Sequence, residues 1–453
     1  MGNPTGKEAT MVRRRNGRKA TPGSYQKDLR TAMKKYLPRR GLPLQVEDGR
    51  VRWTPRLVVV MAILMAWDGA RILKDRFENA WDCVAAMYAT RRRPGGTYEG
   101  FVHALWSASV ELLEIVVAAL RAGIKQVAGP YWEHWGWVLM GVDGSRVECP
   151  MTEANEKAFG CGGKKKTTPQ QFITTLFHVL TGLPWGWRRG GACSSERGHL
   201  REMLHLLPEN VMLLADAGFT GYDLLRTLMR EAKSFIVRVG SNVQLLKKLG
   251  YAAREFDGVV YLWPQDKQNQ EPLILRLVVV HDGRKAIYLL TNVLDKSVLS
   301  DRRVGQMYRL RWGIEVMYRS LKETMQHRKM ASDSPRNAEM ELDWAMVGLW
   351  MLGLMALEAQ RKSGRAPSCW SVAEALRVVR RAIRKPKARH RKGGVMRQLR
   401  DAVKDTYQRH SSKNARHWPH KKKEKPPGAP KTRTASRSEV RKAKELRQCE
   451  AAA

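Results

Sequence analysis

Four side chains suited to acid, base and anion chemistry lie at helical spacing between residues 301 and 329. They are Tyr308, Arg311, Glu315 and Lys322. At about 100° per residue they fall within roughly 60° of one another on a helix. An adjoining stripe predicts the buried face of the same helix: Met307, Leu310, Ile314, Met317 and Leu321. The pattern predicts one helix from residue 301 to residue 329, although a solvated face with an Arg311–Glu315 ion pair would give the same spacing.

Two aspartates upstream follow short apolar runs. Residues 137–142 lead to Asp143, and residues 211–215 lead to Asp216. Apolar runs of this length, bounded by Gly and Asp, predict buried strands that end at the two acids. An Asp at such a place is often only a turn residue. Together with Glu315, however, two such acids could hold two divalent cations, which prefer hard oxygen ligands. A metal pair of this kind activates a water or a 3′-hydroxyl for in-line phosphoryl transfer.

The spacing of these residues resembles a known family signature. Two, three and six residues separate Tyr308, Arg311, Glu315 and Lys322, which is similar to the Tyr-Arg-Glu-Lys signature of bacterial insertion-sequence DDE transposases (the IS-four-like group). Three further blocks resemble that family: Asp143-Gly-Ser145, Asp216-Ala-Gly-Phe219 and Ile287-Tyr-Leu-Leu-Thr-Asn292. The resemblance covers about residues 135–350.

The resemblance implies a fold, a metal site and a set of DNA contacts. The fold is α/β: a ribonuclease-H-like catalytic core with a β-strand insertion, preceded by a small all-α domain and followed by a basic C-terminal tail. Asp143, Asp216 and Glu315 would be the catalytic metal ligands for two ions of Mg²⁺ or Mn²⁺.

Four other side chains would contact DNA. Lys322 would contact a phosphate as a point charge. Arg311 would hold Glu315 or bind a phosphate through its fork, and Tyr308 would hydrogen-bond a phosphate or close the helix face. Trp263, in the insertion, would stack on a flipped base, although a tryptophan at such a place is more often part of the core.

The charge of the chain points to a polyanionic partner. The formal net charge is +39 over 453 residues, of which residues 1–40 carry +10 and residues 377–453 carry +20. Blocks of like charge are typical of solvated tails that bind nucleic acid. We expect double-stranded DNA, both transposon ends and target, as the partner, with no membrane and no nucleotide cofactor.

Cysteine usage and hydropathy favour an intracellular location. The six cysteines include no Cys-x-x-Cys pair, which disfavours zinc and disulfide frameworks. The longest apolar runs, residues 57–67 and 345–357, are shorter than the roughly 18 residues of a membrane span. We expect a cytoplasmic, nucleoid-associated protein.

The pattern along the chain predicts five regions. Residues 1–50 form a basic segment with a short helix, and residues 51–130 a helical domain that could bind DNA ends or serve only for packing. Residues 131–350 form the catalytic domain, with the β-rich insertion at about 233–295. Helices at 351–385 precede a basic tail at 386–453 that we expect to be disordered without DNA.

The leading functional interpretation is a cut-and-paste DNA transposase acting as a dimer on DNA. Such an enzyme cleaves the ends of an insertion sequence with two metal ions and joins them to target DNA. Two alternatives remain: a ribonuclease-H-like nuclease without strand transfer, and a non-catalytic basic DNA-binding protein on a decayed transposase scaffold. The presence of all three acids disfavours the second alternative.

Overall fold

The protein is a mixed α/β structure built on one large central sheet. The computed structural model describes residues 24–38, 52–88, 93–162, 167–282, 285–389, 393–405 and 428–451. The helices are α1 (Tyr25–Lys34), α2 (Pro55–Trp67), α3 (Leu73–Met87), α4 (Tyr98–Ala128), α5 (Glu153–Phe159), α6 (Glu196–Met203), α7 (Tyr222–Arg230), α8 (Asp301–Leu310), α9 (Gly313–Arg319), α10 (Pro335–Arg361), α11 (Val372–Arg384), α12 (Val395–Arg400) and α13 (Arg437–Ala451). The strands are β1 (Val138–Glu148), β2 (Gln170–His178), β3 (Leu183–Gly191), β4 (Val211–Ala215), β5 (Ser234–Val239), β6 (Gln244–Lys247), β7 (Val259–Leu262), β8 (Leu273–Asp282), β9 (Lys285–Thr291) and β10 (Lys431–Thr434).

The sheet has two halves joined at β5. The first half has the order β3-β2-β1-β4-β5, in which β2 alone runs antiparallel to the others. The second half continues from β5 through β9, β8, β7 and β6, with antiparallel pairing throughout. The segment between β5 and α8 therefore extends the sheet of the first half. β10 adds to its far edge, parallel to β6.

β1 departs from the sequence-based expectation. The strand was expected to end at Asp143, but β1 continues past it as a single strand of 11 residues. Its antiparallel pairing with β2 continues past Asp143 to the pair Glu148–Gln170. The partner strand holds Gly144 extended, and its local tendency to turn is overridden.

A helical layer of three apolar helices covers one part of the sheet. α10 packs against α2, α4 and β3, and α4 also contacts β3. α2 is buried along nearly its whole length, as expected of a helix that is apolar on every side. α10 is long and apolar enough to cross a membrane, but 94% of its most apolar window lies inside the protein. Its hydropathy is therefore accounted for by packing.

Helix α1 and the segment that begins at Pro386 meet on this helical layer. α1 packs against α3, α11 and α12, and the backbone N–H of Gln26 donates to Pro386 O at 3.0 Å. Part of the segment after Pro386, which was expected to be disordered, is therefore folded. Val395 and Leu399 of α12 are fully buried. β10 and α13 pack on the insertion, while residues 406–427 lie outside the described residues.

Candidate active site

Asp143 and Asp216 lie at equivalent places on neighbouring parallel strands. The last residues paired between β1 and β4 are Gly141 and Leu214, and each aspartate stands two residues beyond. Because side chains two residues apart share a face of a sheet, both carboxylates lie on the same side. Both are half-buried. Together with Glu315 they make up what we call the carboxylate crevice, defined by Asp143, Asp216 and Glu315.

Backbone amides fix the two aspartate side chains. The N–H of Gly144 donates to Asp143 Oδ1 at 2.8 Å, and the N–H of Gly218 donates to Asp216 Oδ1 at 2.8 Å. Asp216 also caps a short 3₁₀ turn at residues 217–219. The second oxygen of each carboxylate accepts no hydrogen bond within the described part of the chain.

Glu315 reaches the crevice from a helix that is not continuous. The single helix expected over residues 301–329 is divided into α8 and α9 by a tightened turn at Arg311 and Trp312. There the backbone N–H of Ile314 donates to Arg311 O, three residues back. Ser300 caps α8, accepting from the N–H of Arg303. The chain makes a 3₁₀-type turn at this point, so a uniform 100° step does not describe the four-residue signature.

Arg311 supplies the positive charge of the crevice. Its guanidinium donates to Glu315 Oε1 at 3.1 Å and lies 3.9 Å from Asp143 Oδ2. Burial raises the pKa of Asp143 to about 6, and the negative charges of Asp216 and Glu315 act in the same direction. The crevice thus holds more negative charge than one guanidinium balances.

A π-helical turn after α9 holds Lys322 beside β1, the strand that carries Asp143. The chain forms a π-helical turn at Ser320–Thr324, a geometry often found at functional sites. The Nζ of Lys322 donates to Ser145 Oγ at 2.7 Å, two residues beyond Asp143 on β1. The backbone N–H of Met330 then donates to Glu148 O at 2.8 Å, which fixes the following segment to the end of β1.

Tyr318 is a positioning residue that the sequence patterns did not reveal. It is buried on α9, three residues after Glu315. Its Oη lies 2.9 Å from Asp143 O and 3.0 Å from Thr175 Oγ1. Burial raises the pKa of the Tyr318 hydroxyl, which keeps it protonated and able to donate. This side chain joins the helix that carries Glu315 to the strand that carries Asp143.

Tyr308 and Trp312 stand on either side of Arg311 and differ in exposure. The Tyr308 ring is buried, with the Arg311 guanidinium carbon 5.7 Å from its centre. Its hydroxyl has no hydrogen-bond partner within the described residues. Trp312 is 56% exposed. The turn between α8 and α9 therefore presents an aromatic surface next to the acids.

Comparison with known proteins identifies this part of the chain. Residues 139–351 match the family model of the transposase DDE domain. The matched segment includes all three acids and the whole of the signature from Tyr308 to Lys322. This segment matches a transposase DDE domain, and we refer to it as the DDE domain. The resemblance predicted from the sequence is thereby confirmed.

Two similar proteins carry the name transposase. The chain is 26% identical over 271 residues to the transposase InsG for insertion sequence element IS4 of Escherichia coli (strain K12). That match covers 55% of this chain and 60% of the relative. The chain is also similar to the piggyBac transposase in its synaptic complex with hairpin DNA, with 11% identity and a TM-score of 0.43. This similarity covers 86% of this chain and 88% of the other.

DDE domains of this family generally use divalent metal ions, and the donors of the crevice fit such ions. All are carboxylate oxygens, which suit Mg²⁺ or Mn²⁺ better than zinc. As the side chains stand, no three His, Cys, Asp or Glu groups in the described ranges lie close enough to hold a metal. Arg311 occupies the place between Asp143 and Glu315. We therefore expect metal binding in this DDE domain to require Arg311 and Glu315 to change partners.

Trp263, which was expected to stack on a flipped base, does not present an exposed ring at the crevice. Trp263 is 4% exposed, and its indole N–H donates to Gln270 O at 2.8 Å. It lines a groove of about 620 Å³ together with Thr220 and Gly221, which follow Asp216. Trp263 is therefore part of the core of the insertion. Stacking on a base would require a conformational change that exposes the ring.

A fourth carboxylate lies beside the crevice, and the sequence patterns missed it. Glu196 begins α6, after the N-cap Ser195, whose side chain accepts from the N–H of Gly198. Burial and the charges of Asp216 and Asp143 raise its pKa to about 7. In the sequence, Glu196 follows Ser-Ser and resembles any acid in the first turn of a helix. Only the fold places it near the aspartates.

Proposed function

We propose that the chain is a DNA transposase that cleaves the ends of an insertion sequence and joins them to target DNA. The observation that carries the proposal is that Asp143 and Asp216 stand just beyond the end of the β1–β4 pairing, with Glu315 linked to Asp143 through Arg311, within a DDE domain. The family match and the named transposase relatives support the same function.

In this proposal Asp143, Asp216 and Glu315 hold two divalent cations, Mg²⁺ or Mn²⁺. The bound cations would activate a water or a 3′-hydroxyl and stabilise the leaving oxygen. Tyr318 keeps Glu315 and Asp143 at a fixed separation through the Asp143 carbonyl. Lys322 presents a point charge for a phosphate next to the cut, and Ser145 orients it. Arg311 and Tyr308, which have buried polar atoms without partners, would complete their hydrogen bonds on the DNA backbone.

The core is proposed to be ribonuclease-H-like. In support, the order β3-β2-β1-β4-β5 with β2 alone antiparallel places the two aspartates on the adjacent central strands β1 and β4. The strands from β6 to β9 would then be the insertion expected at about residues 233–295. A dimer on DNA and a nucleoid-associated, cytoplasmic location remain part of the proposal.

DNA ends are proposed to bind a surface built from the α1, α3 and α11 regions. Helix α2, expected to belong to an end-binding domain, is buried and offers no surface. A groove of about 810 Å³ lies between α1, α3 and the end of α11. We call it the basic groove, and the residues that define it are Arg93, Arg384, Lys385 and Lys387. The last three are exposed and form no ion pair with any described residue, so they are free to contact phosphates.

The test is a cleavage and joining assay. The substrate is a duplex from the DNA that flanks the coding sequence, with a supercoiled plasmid as target. We expect cleavage at one position, followed by joining to the plasmid, with Mg²⁺ or Mn²⁺ and not in excess chelator. Cleavage without joining would favour the nuclease alternative. Activity in excess chelator would contradict the metal-dependent mechanism.

A further inference from the structure

The carboxylate of Glu196 occupies space that two glycines leave open. A Cβ atom on Gly144 would overlap Glu196 Oε1, and a Cβ on Gly218 would lie 3.1 Å from Glu196 Oε2. The two oxygens of one side chain therefore touch both glycines. Because a larger residue at Gly144 would expel it, the position of Glu196 depends on the absence of a side chain there.

These same glycines hold the catalytic aspartates. The N–H of Gly144 binds Asp143, and the N–H of Gly218 binds Asp216, each at 2.8 Å. A carboxylate that touches both glycines lies between the two aspartate-bearing segments. The arrangement places Glu196 on the border of the carboxylate crevice, on the side of α6.

Glu196 has no direct partner in the part of the chain that the structure describes, although the charges of Arg146 and Arg197 lie close enough to lower its pKa. It forms no hydrogen bond and no ion pair with any described residue, and it is half-buried. The neighbouring arginines are used elsewhere: Arg197 donates to Gly218 O at 2.8 Å, and Arg146 donates to Ala192 O at 3.4 Å. A half-buried carboxylate without a partner is costly. The N-terminus of α6 does not need it, because Ser195 caps that end.

The surrounding residues also leave polar groups without partners. The Tyr308 hydroxyl is more than nine-tenths buried and unpaired, as is the Nε atom of Arg311. Both residues are within electrostatic range of Asp216. The crevice therefore combines uncompensated carboxylates with unpaired donors, as expected of a site that receives both cations and a phosphate.

We propose that Glu196 is a fourth carboxylate ligand of the metal site, contributed by α6. This inference rests on the proposed metal-dependent function and deepens it. The site then draws ligands from β1, β4, α9 and α6, and the glycines at 144 and 218 provide the space through which Glu196 reaches the metals.

The experiment measures Mn²⁺ binding directly. The full chain, bound to its end duplex, is titrated with Mn²⁺ by calorimetry, as wild type, Glu196→Gln, Asp216→Asn and Glu202→Gln. Glu202 lies on the same helix and is exposed, paired with Arg188, so it is the matched control. We expect the Kd for Mn²⁺ to rise about 10-fold or more in Glu196→Gln, the scale seen when groups of a metal site are lost. Glu202→Gln should bind Mn²⁺ like wild type.

Thermal unfolding shows whether Glu196 is a metal ligand or an acid that only stabilises the fold. In chelator, Glu196→Gln should unfold at the wild-type temperature or higher, because an unpaired charge has been removed. On adding Mn²⁺ it should gain less stability than wild type. An unchanged Kd for Mn²⁺, or a lower unfolding temperature in chelator with normal Mn²⁺ affinity, would overturn the inference. If the wild-type complex itself bound no Mn²⁺, the proposed metal-dependent function would fail as well.

Discussion

The carboxylate crevice and the basic groove differ in how their charges are balanced. In the crevice, half-buried acids crowd around one guanidinium, and the pKa of Asp143 is raised to about 6. In the groove, Arg384, Lys385 and Lys387 are exposed and solvated. Buried charges of one sign need a ligand at a fixed position, whereas exposed charges bind a polyanion wherever it passes. The comparison predicts that chemistry and affinity can be separated by mutation.

Substitution of the three acids of the crevice should lower the cleavage rate more than any other change. Asp143→Asn, Asp216→Asn and Glu315→Gln should each lower the cleavage rate by at least about 10²–10³-fold, the scale of losing one key electrostatic contact to a transition state. DNA affinity should stay the same or rise, because negative charge near the backbone is removed. Cleavage and gel-shift assays on one end duplex measure both.

Asp266→Asn is the control for this set, because Asp266 is an exposed acid of the insertion. This variant should cleave DNA at the wild-type rate. Rapid cleavage by any one of the three variants would remove that residue from the metal site. Loss of DNA binding by all three would show that crevice and groove are not separable.

Substitution of Lys322 should lower the cleavage rate less than substitution of the acids, because Lys322 positions the DNA and does not hold the metals. Lys322→Ala should lower the cleavage rate by about 10²-fold, comparable to a small misplacement of a reacting group, with Mn²⁺ affinity unchanged. Lys322→Arg should recover only part of the rate, because a planar fork does not replace a point charge. The control is Lys329→Ala, an exposed lysine further along the chain. If Lys322→Ala cleaved DNA at the wild-type rate, Lys322 would have no role in cleavage, and its contact with Ser145 would be an ordinary surface hydrogen bond.

The basic groove should affect affinity and its dependence on salt. Each phosphate contact contributes roughly −0.9 to the slope of log affinity against log salt. Replacing Arg384, Lys385 and Lys387 together by Gln should therefore flatten the slope by about 2–3. The rate of cleavage by fully bound enzyme should not change. Salt titrations of end and random duplexes provide the measurement.

Three exposed basic residues on other helices, Lys157, Arg201 and Arg230, serve as the control set when changed to Gln. Equal slopes for the two triple variants would mean that the groove does not bind DNA. A lower cleavage rate at saturating protein would link the groove to chemistry and break the comparison.

Local signals in the sequence were sufficient where one segment determines its own structure. Thr97 and Ser300 each cap the helix that follows by accepting a backbone hydrogen bond, and α11 lies within the helical region expected at residues 351–385. Asp216 follows its strand as predicted because β4 ends there. In each case the residues responsible lie within one turn or one strand of the feature.

Features that depend on distant partners could not be predicted. Asp143 has the same local pattern as Asp216, yet β1 continues past it because β2 provides pairing partners to Glu148. The place of Glu196 depends on how α6 packs against two strand ends. β10 consists of four exposed residues without an apolar alternation, so only the free edge of β6 explains it.

The smallest predicted effect distinguishes the two regions by their response to acid. β1, which carries Asp143 of the crevice, pairs with β2. β2 ends in His178, which is fully buried against Trp132 with ring centres 5.0 Å apart. Burial lowers the pKa of His178 to about 4. The unfolded chain takes up a proton below about pH 6.5, whereas the folded chain does so only near pH 4. The contribution of His178 to stability is therefore complete above pH 6.5 and is lost as the pH falls, by up to about 3 kcal/mol.

His178→Gln should remove this dependence. Between pH 6 and 4.5 the free energy of unfolding of the wild type should fall more steeply than that of the variant, by up to about 1.4 kcal/mol per pH unit, which corresponds to one proton. The absolute stability of the variant should be lower at every pH, because the stacked ring is lost, so the slope and not the value is the readout. Urea unfolding followed by tryptophan fluorescence gives that slope, with His103→Gln, at an exposed position of α4, as the control. Parallel pH profiles for wild type and His178→Gln would show that His178 takes up its proton equally in both states. The acid response of the sheet would then have to arise from other groups.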